Sequence, residues 1–175
     1  NKAIKTTEDI IKKNKLQKRA LMQQLLTGKK RLLDDSGKTF ENAWESLKLN
    51  EICKISKGKQ LNRSTLSSEG TYPVINGGVT PSGYTESYNL ENNTITISEG
   101  GNSCGYIDIQ RSNFWCGGHC YSLSDVSIDT EFLYQFLKYK ERRIMSLRVG
   151  SGLPNIQKKA IEGVYISFPS IQEQQ

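Results

Sequence analysis

The chain has 175 residues, enough for one domain with its own hydrophobic core and an accessory element. Its 35% apolar and 24% charged residues fit a soluble globular protein, and no apolar run approaches the ~18 residues that a membrane span needs. The net charge of +6 is uneven: residues 1–31 carry ten Lys or Arg against Glu8 and Asp9, whereas residues 32–175 carry fourteen basic and sixteen acidic side chains, so the globular part is not a generic polycation and must bind any nucleic acid through local patches.

The start, Asn1-Lys2-Ala3-Ile4-Lys5, has neither the apolar core nor the cleavage site of a secretory signal, which points to the cytoplasm; the missing initiator Met suggests a piece of a longer chain. Residues 1–27 contain no Pro or Gly, and Ile4, Ile11, Leu21 and Leu25 recur near helical spacing, with Leu16, Ala20 and Leu26 beside them. The spacing predicts a helix whose apolar stripe packs against a partner helix. Lys18 interrupts the heptad register, so a perfect coiled coil is not expected, and a solvated basic helix is the plainer alternative. Gly28 suits the position just past the helix end, and Lys29-Lys30-Arg31 suit the negative end of its dipole. The turn Asp34-Asp35-Ser36-Gly37 marks a boundary, dividing the chain into a helix-bearing segment, 1–33, and a domain, 34–175.

From there to about residue 125, short β-type runs alternate with Gly, Asn and Ser clusters. Thr71–Ile75 precedes Asn76-Gly77-Gly78. Thr94-Ile95-Thr96-Ile97 alternates strictly and ends at Glu99-Gly100-Gly101. Tyr106–Ile109 and Tyr121–Leu123 follow. A second helix is predicted over about 130–148, capped by Asp129, with Phe132, Phe136, Leu137, Ile144 and Leu147 as its apolar stripe. Gly150-Ser151-Gly152-Leu153-Pro154 breaks it, a short helical turn follows Asn155, and Val164–Phe168 alternates as a closing strand that stops at Pro169. The fold class is therefore α+β: a β-rich, loop-rich domain with a long N-terminal helix.

Catalytic machinery is not visible. Gly100-Gly101-Asn102-Ser103 follows a strand run but opens no helix, so it is no cofactor loop, and a phosphate-cradling G-x4-G-K-[ST] loop is missing. The single His and the scattered carboxylates suggest neither a nucleophilic site nor a two-metal nuclease. Cys53, Cys104, Cys116 and Cys120 read as reduced thiols. Cys116, His119 and Cys120 are close in sequence but lack the spacing of common zinc sites, so no metal or other cofactor is expected; a metal-stabilised binding module stays as an alternative.

What is present suits nucleic acid. Lys54, Lys57, Lys59 and Arg63 fall in a stretch free of acids from 52 to 68, interleaved with Gln60, Asn62, Ser64 and Thr65. Lys57, Lys59 and Arg63 are candidates for phosphates, and Gln60 and Asn62 for base edges. Asn76, Thr80, Ser82 and Tyr84 around one Gly-Gly turn, and Asn102 and Ser103 after another, extend the set, although plain turn chemistry accounts for any one of them. Lys138, Lys140, Arg142, Arg143 and Arg148 form a second basic cluster that reads equally as the polar face of a helix.

The order of these segments resembles a known family. Leu16 through Arg31, LQKRALMQQLLTGKKR, resembles the end of the helical spacer in Type I restriction–modification specificity subunits. Trp44, Leu49, Ile52 and Gly58 resemble the opening of a target-recognition domain. Tyr72 through Gly78 with Ser82-Gly83-Tyr84 resembles its central motif, and Ile97-Ser98-Glu99-Gly100-Gly101 the next one. Pro169-Ser170-Ile171-Gln172-Glu173-Gln174 resembles the start of the following helix, with Ser170 in place of a second Pro. The resemblance implies an α+β domain that reads one half of a split double-stranded DNA target without catalysis. It also implies a helix that pairs antiparallel with that of another recognition domain, and docking of methyltransferase and restriction subunits. With one recognition domain here, a half-subunit that forms homodimers and part of a two-domain subunit both stay open. So do the recognition domain of a fused restriction–methylation enzyme and a helix-dimerisation module that binds no DNA.

Overall fold

The computed structural model describes residues 2–175; residue 1, included in the first predicted helix, lies outside the described residues. The chain divides into two compact units, one of residues 1–45 with 167–174, the other of residues 46–166 with Gln175. This division falls later than the turn at 34–37 and takes in the C-terminal segment. No helix among the described residues is long and apolar enough to cross a membrane.

In the first unit, helix α1 spans Lys2–Leu25 and none of its residues is buried. Ile4, Ile10, Ile11, Leu16 and Leu21 are all exposed, and Leu25 is half-buried. Gly28 closes the helix at φ +67°, with its N–H donating to Leu25 O; a Cβ there would sit 3.1 Å from the Trp44 ring, so the predicted glycine is required twice, by backbone sign and by space. Arg31 grips Glu173 on α5 (Ile171–Gln174) with two hydrogen bonds, Nε to Oε1 at 2.8 Å and Nη2 to Oε2 at 2.6 Å. The Glu173 side chain is almost fully buried, and its hydrogen bond holds the Arg31 guanidinium above its ordinary pKa. That fork is why residues 167–174 belong with the segment around Arg31, 142 positions away in sequence.

The second unit is built on a four-stranded antiparallel sheet in the order β2-β8-β5-β6, from Lys54–Lys57, Cys120–Ser124, Thr94–Ser98 and Ile107–Gln110. Ile55, Leu123, Ile95 and Ile109 lie in one cross-strand row; Tyr121, Ile97 and Ile107 continue the same face. All seven are buried, which accounts for the strict alternation read in Thr94–Ile97. Helix α3, Thr130–Met145, lies against β6. Asp129 caps it as predicted, accepting from Phe132 N at 2.7 Å. Its buried residues are Leu133, Phe136, Leu137 and Ile144; Phe132 and Leu147 are only half-buried, and Leu133 takes the place given to Phe132 in the predicted stripe.

The opposite face of the sheet is polar but covered. Thr96, Ser98 and Ser122 are buried there, and Ser98 donates to Gly77 O at 2.6 Å. Gly77 belongs to the turn that follows β3 (Tyr72–Ile75). That strand pairs antiparallel with β4 (Tyr84–Thr85) and parallel with β7 (Trp115–Cys116), giving a three-stranded sheet over a small core of Ile75, Phe114, Cys116 and Cys120 with Leu90. Two further strands, β1 (Glu45–Lys48) and β9 (Tyr165–Phe168), and two short helices, α2 (Leu49–Ile52) and α4 (Lys158–Glu162), complete the elements.

Candidate nucleic-acid interface

Three turns from different parts of the second unit meet at the end of the four-stranded sheet. The first is the strap that continues β2 through Gly58 to Lys59 and Gln60. It lies across residues 115–118: Lys59 N donates to Cys116 O at 2.9 Å, Trp115 Nε1 donates to Lys59 O at 2.8 Å, and Gly58 N donates to Cys120 O at 2.9 Å. Gly58 is packed so tightly on the carbonyls of Gly117 and Cys116 that it leaves no room for a Cβ. The second is the Asn76–Gly77–Gly78 turn. Asn76 Oδ1 accepts from His119 N at 3.0 Å, and Gly77, at φ +86°, would place a Cβ 2.5 Å from His119 O. The third is Glu99–Ser103, after β5, where Ser103 donates to Gly77 O at 2.6 Å.

These turns wall an open cleft of ≈ 690 Å³. Lys57, Asn76, Ser82 and Ser103 line it, together with Glu99, His119 and Leu153–Asn155. Glu99 holds the centre. Its half-buried carboxylate accepts from Lys57 Nζ at 2.6 Å and Tyr121 Oη at 3.1 Å, and its Oε2 is 3.7 Å from His119 Nδ1. Burial first, and then the Glu99 charge, push the Tyr121 hydroxyl up to about 12, so it stays a hydrogen-bond donor at neutral pH.

The candidates from the sequence separate into groups. Lys57 lies on a strand and has a partner in Glu99, so its charge is already partly neutralised. Lys59 and Arg63 are exposed, and neither makes an ion pair among the described residues. Asn62 caps the single turn of 3-10 helix at Arg63–Thr65, accepting from Ser64 N at 3.2 Å, and Gln60 Nε2 donates to Leu61 O. Asn76 and Ser103 spend polar atoms on the turn itself. Tyr84 is half-buried in β4, whereas Thr80, Ser82 and Asn102 are exposed. Within the second basic cluster, Lys138 is committed: Nζ donates to Ile107 O at 2.9 Å, pairs with Glu141 at 2.6 Å and sits 4.4 Å over the Tyr106 ring. Glu99 and Leu153–Asn155 were not among the sequence-derived candidates. The local signals for Glu99 were its place after an alternating strand and within the Ile97–Gly101 segment that resembles a family motif.

The thiols are not arranged for metal. Cys116 and Cys120 are buried in the small core, while His119 between them is exposed, and no three His, Cys, Asp or Glu side chains converge among the described residues. A hydrogen bond with Cys116, then burial, push the Cys120 thiol up, and burial raises Cys53 to about 12. The hydrogen bond with Cys120 lowers the Cys116 thiol instead, but that side chain is enclosed in the small core, away from any reactant.

An exposed basic strap, a polar cleft walled by three pinned turns and a four-stranded sheet behind them define an α+β domain with a surface built from loops. Residues 41–175 match the family model of the Type I restriction modification DNA specificity domain, and the chain belongs to that family. It is 33% identical over 135 residues to a type I specificity subunit of Mycoplasma genitalium, covering 75% of this chain and 35% of that one. It is 28% identical over 131 residues to the EcoDI specificity subunit of Escherichia coli, covering 75% and 29%. The crystal structure of a Type I S subunit from M. genitalium superposes with a TM-score of 0.67 at 32% identity, over 73% of this chain and 35% of that one. The HsdS subunit of Thermoanaerobacter tengcongensis shares the fold over 99% of this chain and 44% of its own, with a TM-score of 0.66 at 19% identity. The chain spans about a third of the length of the curated relatives it matches.

Proposed function

We propose that the chain reads one half of a split double-stranded DNA target as the specificity subunit, or half-subunit, of a Type I restriction–modification complex, and leaves the chemistry to methyltransferase and restriction subunits. The observation that carries this reading is the match of 135 consecutive residues, 41–175, to the DNA specificity domain family. The site is consistent with it. Lys59 on the strap and Arg63 in the 3-10 turn after it, both exposed, anchor phosphates and set register, with Lys57 shared between DNA and Glu99. Gln60, Asn62, Asn76, Thr80, Ser82, Tyr84, Asn102 and Ser103 supply the polar groups from which base readers are drawn. Such a complex works in the cytoplasm, where the DNA is.

Helix α1 serves as the spacer and pairs with the helix of another recognition domain, in a homodimer or within a larger subunit, through Ile4, Ile11, Leu21 and Leu25. Support comes from its exposure: a helix of 24 residues with no buried side chain gains little from packing within its own chain, and helices that lack tertiary contacts are marginal in water.

Selection from a random duplex pool, with the full chain co-purified with its methyltransferase subunit, tests the reading. An enriched motif is expected; two-fold symmetry in it marks a homodimer, and two unlike halves mark a two-domain subunit. Binding without enrichment would point to the basic helix and sink the proposal.

A further inference from the structure

Leu153 is 86% exposed, the most exposed of the large apolar side chains, and it lies on the wall of the cleft. A lone exposed Leu is ordinary on a protein surface. What sets this one apart is how the chain holds it. Val149 and Asn155 exchange two backbone hydrogen bonds, 2.8 and 3.0 Å, and close a loop whose tip is Gly150-Ser151-Gly152-Leu153. The base of the loop is pinned: Gly101 N donates to Pro154 O at 3.0 Å, Ile156 N donates to Glu99 O at 2.8 Å, and Tyr121 Oη donates to Ile156 O at 3.1 Å. Gly150 turns the chain at φ +94°, and Pro154 confines Leu153 to extended backbone. At Gly152 a Cβ would meet nothing within 4 Å, so the tip stands in open space. A fixed base thus projects an uncharged tip, with the Leu153 side chain exposed, beside a cleft of polar side chains.

We propose that Leu153 reads the C5-methyl of a thymine in the major groove of the target. This inference rests on the DNA-recognition reading above. In the major groove an A·T pair presents an apolar methyl next to the thymine O4 acceptor, and no other of the four bases carries a methyl there. Leu153 supplies the apolar surface. Asn155, two residues on, accepts from Gln157 through Oδ1 at 3.0 Å, which leaves Nδ2 to donate to O4. A charged side chain at position 153 would gain nothing from the methyl, whereas Leu removes both apolar groups from water.

Deoxyuridine differs from thymidine only by that methyl. Each thymine of the selected motif is replaced singly by deoxyuridine, and affinities are compared for the complex with native chain, Leu153→Ala and Leu153→Met. One position is expected at which the replacement weakens native binding about fourfold, the worth of one buried methyl. The same replacement should cost Leu153→Ala nothing, while Leu153→Met retains the penalty. Because the side chain is exposed at a loop tip, both variants should fold as the native chain does. An enriched motif that tolerates deoxyuridine everywhere, or loses equally with Leu153→Ala, would overturn this inference alone. A native complex that enriches no motif would overturn the parent reading and this one with it.

Discussion

Gly58→Ala should destabilise the domain by about 2–3 kcal/mol and impair DNA binding in whatever folds. The added Cβ would overlap the carbonyls of Gly117 and Cys116, both backbone atoms that cannot rotate away. Relief requires the end of β2 to lift from the 115–118 segment. That movement breaks the bonds from Gly58 N to Cys120 O and from Lys59 N to Cys116 O, and removes the Lys59 carbonyl from Trp115 Nε1. Lys59 is then no longer fixed relative to the cleft. Urea unfolding of the native and variant chains measures the first effect, and titration with the selected duplex the second. An unfolding free energy within about 0.5 kcal/mol of native would show that the strap is not held as described.

The paired substitution Lys59→Ala with Arg63→Ala should lower affinity roughly a hundredfold and flatten the slope of log K against log salt by about two units. Each neutralised phosphate releases about 0.9 counterion, and among the described residues these two side chains make no ion pair that would share their charge. The loss should be nearly equal for target and unrelated duplexes, since phosphates carry no sequence. Lys57→Ala should do less, because its charge is already shared with Glu99 at 2.6 Å. Affinity measured from 50 to 200 mM salt decides the matter: an unchanged slope for the double variant would move the phosphate contacts elsewhere.

The sequence made legible those elements with a periodic pattern and a terminator. Strand β5 alternates because its two faces meet different surroundings, and α3 carries Asp129 as a cap that the structure uses. Strand β2 falls within the acid-free basic stretch and is not legible there, since it buries only Ile55 and shows no alternation of its own; it exists because β8 offers it a ladder. Strands β4 and β7 are two residues each, too short for any period, and follow from pairing with β3. The candidate site was half legible. Basic charge and turn chemistry are local and pointed to Lys59, Arg63 and the Gly-Gly turns. The role of Glu99 depends on Lys57, 42 residues earlier, and the placement of Leu153 on a hydrogen bond from Gly101 to Pro154, and neither pairing leaves a trace in local spacing. The Arg31–Glu173 fork that joins the C-terminal segment to the first unit is hidden for the same reason.

The central claim, that this chain discriminates base sequence, is tested most directly by one ratio. The complex of the full chain with its methyltransferase subunit is titrated at about 0.15 M salt with the selected duplex and with a scrambled duplex of equal length and composition. Sequence reading by pinned loops predicts that the selected duplex binds at least about 10³-fold more tightly. A ratio near one would mean that charge alone brings the chain to DNA, and would contradict the account.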